Sequence, residues 1–169
     1  MTNVLIVVDM QNDFVKNEPF TCDRAKWIIP NITKMIESGI YDEIYFTKDT
    51  HYTWQNSIEM KEVPSHCMAD TEGWEIIDEL KPYVDIDHTI KKYTYGCNKW
   101  CSVLYHQTVE SITLVGVCTD ICVISNALML RAEYPDVPIR VAENACAGTS
   151  MKNHEMALEI MKNNSIEII

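Results

Sequence analysis

The sequence predicts an α/β sandwich built on a parallel sheet, and three observations carry that prediction. Short, near-continuous apolar and β-branched runs recur along the chain, helical spacing fills the intervals, and strand and helix therefore alternate. In chain order, residues 4–8 form the first such run, and residues 25–38 follow as a helix. That helix lines up Ile28, Ile29, Ile32, Met35 and Ile36 on one side and ends before Gly39, a residue suited to a left-handed cap. Residues 44–47 read as the second strand and 87–90 as a weaker third. Residues 112–116, 139–142 and 166–169 read as the last three strands. The spacing predicts further helices over 74–80, 101–106, 121–133 and 152–162. Residues 49–71 have no clear periodicity, and an irregular segment of that length in a compact domain points to function.

With 169 residues, 47% hydrophobic and 23% charged, the chain reads as one globular domain over residues 1–169. Fourteen basic against twenty-five acidic residues give a net charge of -11, which disfavours nucleic acid and anionic membrane surfaces as partners. No apolar run is long enough to span a bilayer, and the start lacks the basic n-region and cleavage site of a signal peptide. The seven cysteines are an odd number, which suits a reducing cytoplasm better than a secreted disulfide framework.

Ligands of a doubly wound sheet collect at the carboxyl ends of its strands. Three strand exits carry polar residues directly after an apolar run: Asp9-Met-Gln-Asn-Asp13, Thr47-Lys-Asp-Thr-His51 and Gly116-Val-Cys-Thr-Asp-Ile-Cys122. No glycine-rich phosphate-binding fingerprint is present, which removes dinucleotide and P-loop readings. Thr119 reads as an N-cap, placing Cys122 in the first turn of a helix. There the helix dipole lowers a thiol's pKa, and free N–H groups can hold an oxyanion. The bland alternative is a small apolar residue packing helix onto sheet. Asp9, at the rim of an apolar core, has the desolvated setting of a general base, or else caps the next loop. Lys92 follows the weak third strand and reads as a surface charge unless it pairs with Asp9 and Cys122.

A second constellation is Asp49-Thr-His51 with His66 further along. One carboxylate and two imidazoles suit zinc, with Fe(II) or Mn as alternatives, although loop hydrogen bonding explains the same residues. His88, His106 and His154 read as ordinary histidines, and Cys97-x-x-x-Cys101 lacks the second pair that a zinc site needs.

Three segments together resemble the signatures of the isochorismatase-like cysteine hydrolases: Val7-Val-Asp-Met-Gln-Asn-Asp-Phe14, Lys92 before Tyr95-Gly96, and Gly116-Val-Cys-Thr-Asp-Ile-Cys-Val123. Asp49-Thr-His51, Pro64-Ser-His-Cys67 and the later Gly73 resemble that family's nicotinamidase branch. The resemblance runs from about residue 4 to residue 160 and implies a three-layer sandwich with a six-stranded, mostly parallel sheet flanked by helices. It implies Asp9, Lys92 and Cys122 as the catalytic triad, and Asp49, His51 and His66 as metal ligands. It further implies a non-proline cis peptide at Val117-Cys118, with the N–H groups of Cys118 and Cys122 as the oxyanion hole. The chain departs from the nicotinamidase pattern in the short Tyr93-Thr-Tyr95-Gly-Cys97 stretch, in Lys16-Asn-Glu-Pro19, and in Cys118 where alanine is common.

What the resemblance implies is a cytoplasmic, homo-oligomeric (dimeric or tetrameric) amidohydrolase with a divalent metal. It takes a small amide such as nicotinamide, by way of a thioester. Phe14, Trp54, Tyr93 and Tyr95 are the candidate ring-binding residues. The rival readings are a hydrolase of another small amide or carbamoyl compound, and a non-catalytic binding module on the same fold.

Overall fold

The structure, a computed structural model, describes residues 1–17, 22 and 24–169. Its six strands are β1 (Thr2–Val8), β2 (Glu43–Asp49), β3 (Thr89–Lys92), β4 (Val109–Val117), β5 (Ile139–Ala147) and β6 (Glu167–Ile168). They lie in the order β3-β2-β1-β4-β5-β6, and every neighbouring pair is parallel. The sheet is thus wholly rather than mostly parallel. All six apolar runs are strands, and the third ends at Lys92 instead of before it.

Alternate residues of β1 enter opposite cores, which is why its sequence is apolar without a break. Leu5 and Val7 pack with Phe46, Val115 and the Ala25, Ile28 and Ile32 face of α2 (Ala25–Glu37). Val4, Ile6 and Val8 pack with Ile112 and Leu114, and with Leu130 of α5 (Ile124–Glu133) and Met161 of α6 (Met151–Asn163). Each fully buried side chain of this kind contributes about 1.5–3 kcal/mol. Helices on both faces of one sheet make the three-layer sandwich. Gly39 adopts φ +70° just past α2, as the stop signal requires. Among the described residues no helix is long and apolar enough to cross a membrane.

Two expected helices differ. Residues 74–80 form turns, because this segment's backbone is bonded to the chain leaving β1. The Gln11 side chain donates to Trp74 O (2.8 Å), the Asn12 N–H to Glu75 O (2.9 Å), and the Ile77 N–H to Met10 O (3.0 Å). Trp74, Ile77 and Leu80 are buried at a helix-like spacing that tertiary bonds override. The 101–106 helix shrinks to α4 (Trp100–Val103). Two short α-helices, α1 (Asn12–Val15) and α3 (Glu59–Glu62), and a 3-10 helix at Lys81–Tyr83 lie outside the expected ones.

The strand order reverses between β1 and β4, so the crevice of this sheet opens where Asp9 and Cys118 leave their strands. The two strands approach closely there. Gly116 has φ +113°, and a Cβ on it would lie 2.2 Å from Val8 O, so no other residue fits.

Candidate active site

Asp9, Lys92 and Cys122 meet at this crevice. Asp9 sits just past β1 in the left-handed region (φ 49°). It is pinned there by Thr47, whose hydroxyl donates to Asp9 Oδ1 (2.6 Å) and accepts from the Asp9 N–H (3.1 Å). Lys92 Nζ stands 2.7 Å from Asp9 Oδ2 and 3.6 Å from Cys122 Sγ, and it also donates to Thr94 O at 3.1 Å. Exposure is 0% for Asp9, 2% for Lys92 and 4% for Cys122, so Lys92 is no surface charge.

Burial dominates the electrostatics. It raises the Asp9 carboxyl above its ordinary value even though Lys92 pulls the other way. Lys92 is raised well above its usual value, because Asp9, Cys122 and Asp49 together outweigh its own desolvation. Burial also pushes the Cys122 thiol well up, with Lys92 only partly opposing it. The direction opposes the expectation of a thiol acidified by its helix: burial favours the neutral thiol, beside a carboxyl able to take its proton.

The turn that carries Cys122 also differs from expectation. Thr119–Val123 is a π-helical turn capped by the Cys118 backbone, with α5 beginning only at Ile124. Cys118 O accepts from the N–H groups of both Ile121 (3.0 Å) and Val123 (3.1 Å). The Thr119 side chain caps nothing and pairs with His154 Nδ1 at 2.8 Å. Such wide turns recur at functional sites.

Beside the triad lies a second buried group. Asp49 Oδ2 is 3.1 Å from His51 Nε2 and 3.5 Å from His66 Nε2, and Glu59 Oε1 lies 3.6 and 3.5 Å from the same two nitrogens. One ligand atom from each of the four lies within 4.8 Å of all the others. The Pro64 carbonyl accepts from His66 Nδ1 (2.9 Å), which turns Nε2 toward the carboxylates. Burial lowers both imidazoles, but hydrogen bonds to Asp49 and Glu59 win, raising His51 to about 9 and His66 to about 10. Asp49 is held well below the ordinary carboxylate range; burial raises it, and Lys92 with the two imidazoles outweighs burial. Two carboxylates facing two imidazoles form a donor set that fits a divalent ion such as zinc.

Glu59 is the residue that the three-ligand expectation missed. It sits on α3, inside the aperiodic 49–71 segment, at no fixed spacing from Asp49. The segment is fastened by Asp13, whose Oδ2 accepts from the Cys67 N–H (2.7 Å). A Cβ on Gly73 would collide with the same carboxylate at 2.1 Å. Replacing Glu59 with glutamine is expected to lower zinc affinity by at least about tenfold, measured by competition with a chromogenic chelator. Unchanged affinity would remove Glu59 from the ligand set.

A family model of the isochorismatase domain matches residues 3–169. The chain belongs to the isochorismatase family. Relatives of this isochorismatase-family chain include the nicotinamidase of Schizosaccharomyces pombe, 26% identical over 204 residues that cover 98% of this chain and 91% of the relative. Among solved structures, the nicotinamidase of Bacillus subtilis is 28% identical with a TM-score of 0.83, covering 99% of each chain. The pyrazinamidase of Pyrococcus horikoshii in complex with zinc is 28% identical with a TM-score of 0.81, covering 100% of this chain and 99% of that one.

The Val117–Cys118 peptide is cis. Cys118 is joined in a disulfide to Cys22, 96 residues away, a pairing that the odd cysteine count and its reducing setting did not suggest. No spacing rule could pair them; the fold alone sets Cys22, just ahead of α2, against the end of β4. Phe14 is buried with its ring 5.6 Å from His66. The Tyr95 hydroxyl is raised mainly by desolvation, with the charges of Glu59 and Cys122 adding. Tyr93 and Trp54 lie further out: Trp54 is 76% exposed and stacks on Tyr52 (5.4 Å), which in turn contacts Tyr93 (6.3 Å). Of the distinctive Lys16–Pro19 stretch, Glu18 and Pro19 lie outside the described residues.

Proposed function

We propose that the chain is a cysteine-dependent amidohydrolase that converts nicotinamide, or a close heteroaromatic carboxamide, into the carboxylate and ammonia. The single observation that carries this reading is the buried contact of Lys92 Nζ with both Asp9 (2.7 Å) and Cys122 Sγ (3.6 Å). It puts an acceptor and a cation beside one thiol, as nucleophilic catalysis by sulfur needs. Nicotinamidase relatives spanning nearly the whole chain support the choice of substrate.

In the proposed mechanism Asp9 takes the Cys122 proton and Lys92 stabilises the resulting thiolate. Sulfur attacks the amide carbon, and the N–H groups of Cys118 and Cys122 receive the oxyanion. One such donor is worth about 3–4 kcal/mol of barrier. Asp9 returns the proton to the departing nitrogen as ammonia leaves. Water gives a proton to Asp9 as its oxygen attacks the thioester carbon; the carbon–sulfur bond breaks, and Asp9 returns the proton to the departing Cys122 sulfur. Phe14, Trp54, Tyr93 and Tyr95 form the proposed ring-binding wall. A divalent ion held by Asp49, His51, Glu59 and His66 would supply an electrophilic contact for the ring nitrogen. The family resemblance adds a cytoplasmic location and a dimeric or tetrameric assembly to the proposal.

The test is ammonia release from purified protein with nicotinamide, pyrazinamide, a carbamoyl compound and an unrelated aliphatic amide, with and without zinc. Turnover highest on the two ring amides and dependent on metal is the expected result. Turnover confined to the carbamoyl compound would move the assignment to that class of hydrolase, and turnover of none would favour a binding module.

A further inference from the structure

Asn126 is fully buried on α5, one helical turn beyond Cys122, at a position where a carboxamide is a poor helix former. Its side chain spends all of its hydrogen-bonding capacity. Nδ2 donates to Cys122 O (2.7 Å) and Tyr95 O (3.2 Å), while Oδ1 accepts from the Cys97 N–H (2.9 Å) and the Trp100 indole N–H (2.8 Å). One amide therefore ties together the π-helical turn of the candidate nucleophile, the loop leaving β3, and α4. That loop also carries Thr94, whose carbonyl accepts from Lys92 Nζ. It is pressed on α5 as well, since a Cβ on Gly96 would lie 2.4 Å from Met129 Sδ.

We propose that Asn126 is a positioning residue that locks the Cys122 turn to the Tyr95–Cys97 loop and thereby sets the Lys92–Cys122 distance. The inference rests on the reading of Cys122 as nucleophile. The two carbonyls of the turn that precede α5, Ile121 O and Cys122 O, each accept a side-chain hydrogen bond from four residues ahead. Ser125 Oγ makes the first (2.6 Å) and Asn126 the second. Only Asn126 carries the link onward to the lysine loop. Without it, turn and loop share no buried polar bridge through this side chain, and buried carbonyls and N–H groups lose their partners. A displacement of about 1 Å between reacting groups is enough to cost on the order of 100-fold in rate.

The experiment compares Asn126→Ala with Trp100→Phe. The second variant removes one bond to Oδ1 and leaves both donated bonds in place. Each protein is measured for melting temperature, for kcat and KM on nicotinamide, and for the pH profile of Cys122 alkylation by iodoacetamide, followed by mass spectrometry of the Cys122 peptide. Asn126→Ala is expected to lose roughly 10- to 100-fold in kcat with KM within about threefold, and to shift its alkylation profile. Trp100→Phe is expected to melt lower while keeping kcat within about threefold. Wild-type kcat and an unshifted profile in Asn126→Ala, or a kcat loss that follows melting temperature equally in both variants, would overturn the proposal. If the alanine variant is insoluble, Asn126→Asp, which keeps the two accepted bonds, is read by the same kcat loss. Alkylation needs no turnover, so the positioning role is decided even if Cys122→Ala retains activity and the nucleophile reading falls.

Discussion

Alanine in place of Cys122 is expected to reduce ammonia release by roughly 10⁴- to 10⁶-fold while leaving the fold and the zinc content unchanged. The loss is large because no neighbour can substitute for the sulfur: in the proposed mechanism Asp9 and Lys92, in contact with each other and with Cys122 through Lys92 Nζ, move a proton and balance a charge, and neither attacks a carbonyl. Stability should change little. The removed atom is one sulfur, the buried Asp9–Lys92 pair stays intact at 2.7 Å, and the metal group shares no ligand with Cys122. A cost of about 1 kcal/mol is the scale for so small a cavity. Circular dichroism, zinc analysis and an ammonia assay on one preparation separate the outcomes. Full turnover by the variant would show that another group attacks the substrate.

The fold was legible in this sequence because a parallel sheet buried on both faces writes itself as unbroken apolar runs. Leu5 and Val7 serve one core, Val4, Ile6 and Val8 the other, and all must be apolar. The meeting of Asp9, Lys92 and Cys122, the proposed triad, was legible at the strand exits, where these residues interrupt or follow those runs. What stayed hidden depends on contacts between segments distant in the chain. Trp74, Ile77 and Leu80 are spaced as on a helix, yet Gln11 and Asn12 hold their backbone in turns. Glu59 joins Asp49 and His51 only because the long loop folds back, and Cys22 meets Cys118 only across the assembled sheet. The burial of Cys122, which opposes the helix's pull on its acidity, was hidden for a related reason. Helix polarity is local and visible in sequence, whereas the burial that outweighs it belongs to the whole fold.

Methionine in place of Lys92 is expected to destabilise the protein by about 3–5 kcal/mol at neutral pH and to abolish turnover. Methionine keeps much of the lysine stem but removes the only cation among the described residues that faces both Asp9 (2.7 Å) and Asp49 (3.2 Å), carboxylates that are 0% and 1% exposed. The sign of the pH dependence follows from their protonation. In the wild type Asp49 lies below its ordinary value of 3.8, so its contribution is present above that pH and fades as pH falls through the depressed value. Asp9 is already raised above 3.8 by burial, and without Lys92 it rises further. The variant's folded state therefore binds more protons than the wild type's, and the gap in stability is widest above pH 7. It narrows toward pH 4, where the carboxyl groups become neutral and their burial costs less. Denaturant melts of both proteins at pH 8, 6 and 4.5 measure this directly. A gap that stays constant across that range, or widens as the solution is acidified, would mean that Lys92 is not the counter-charge of this buried carboxylate pair.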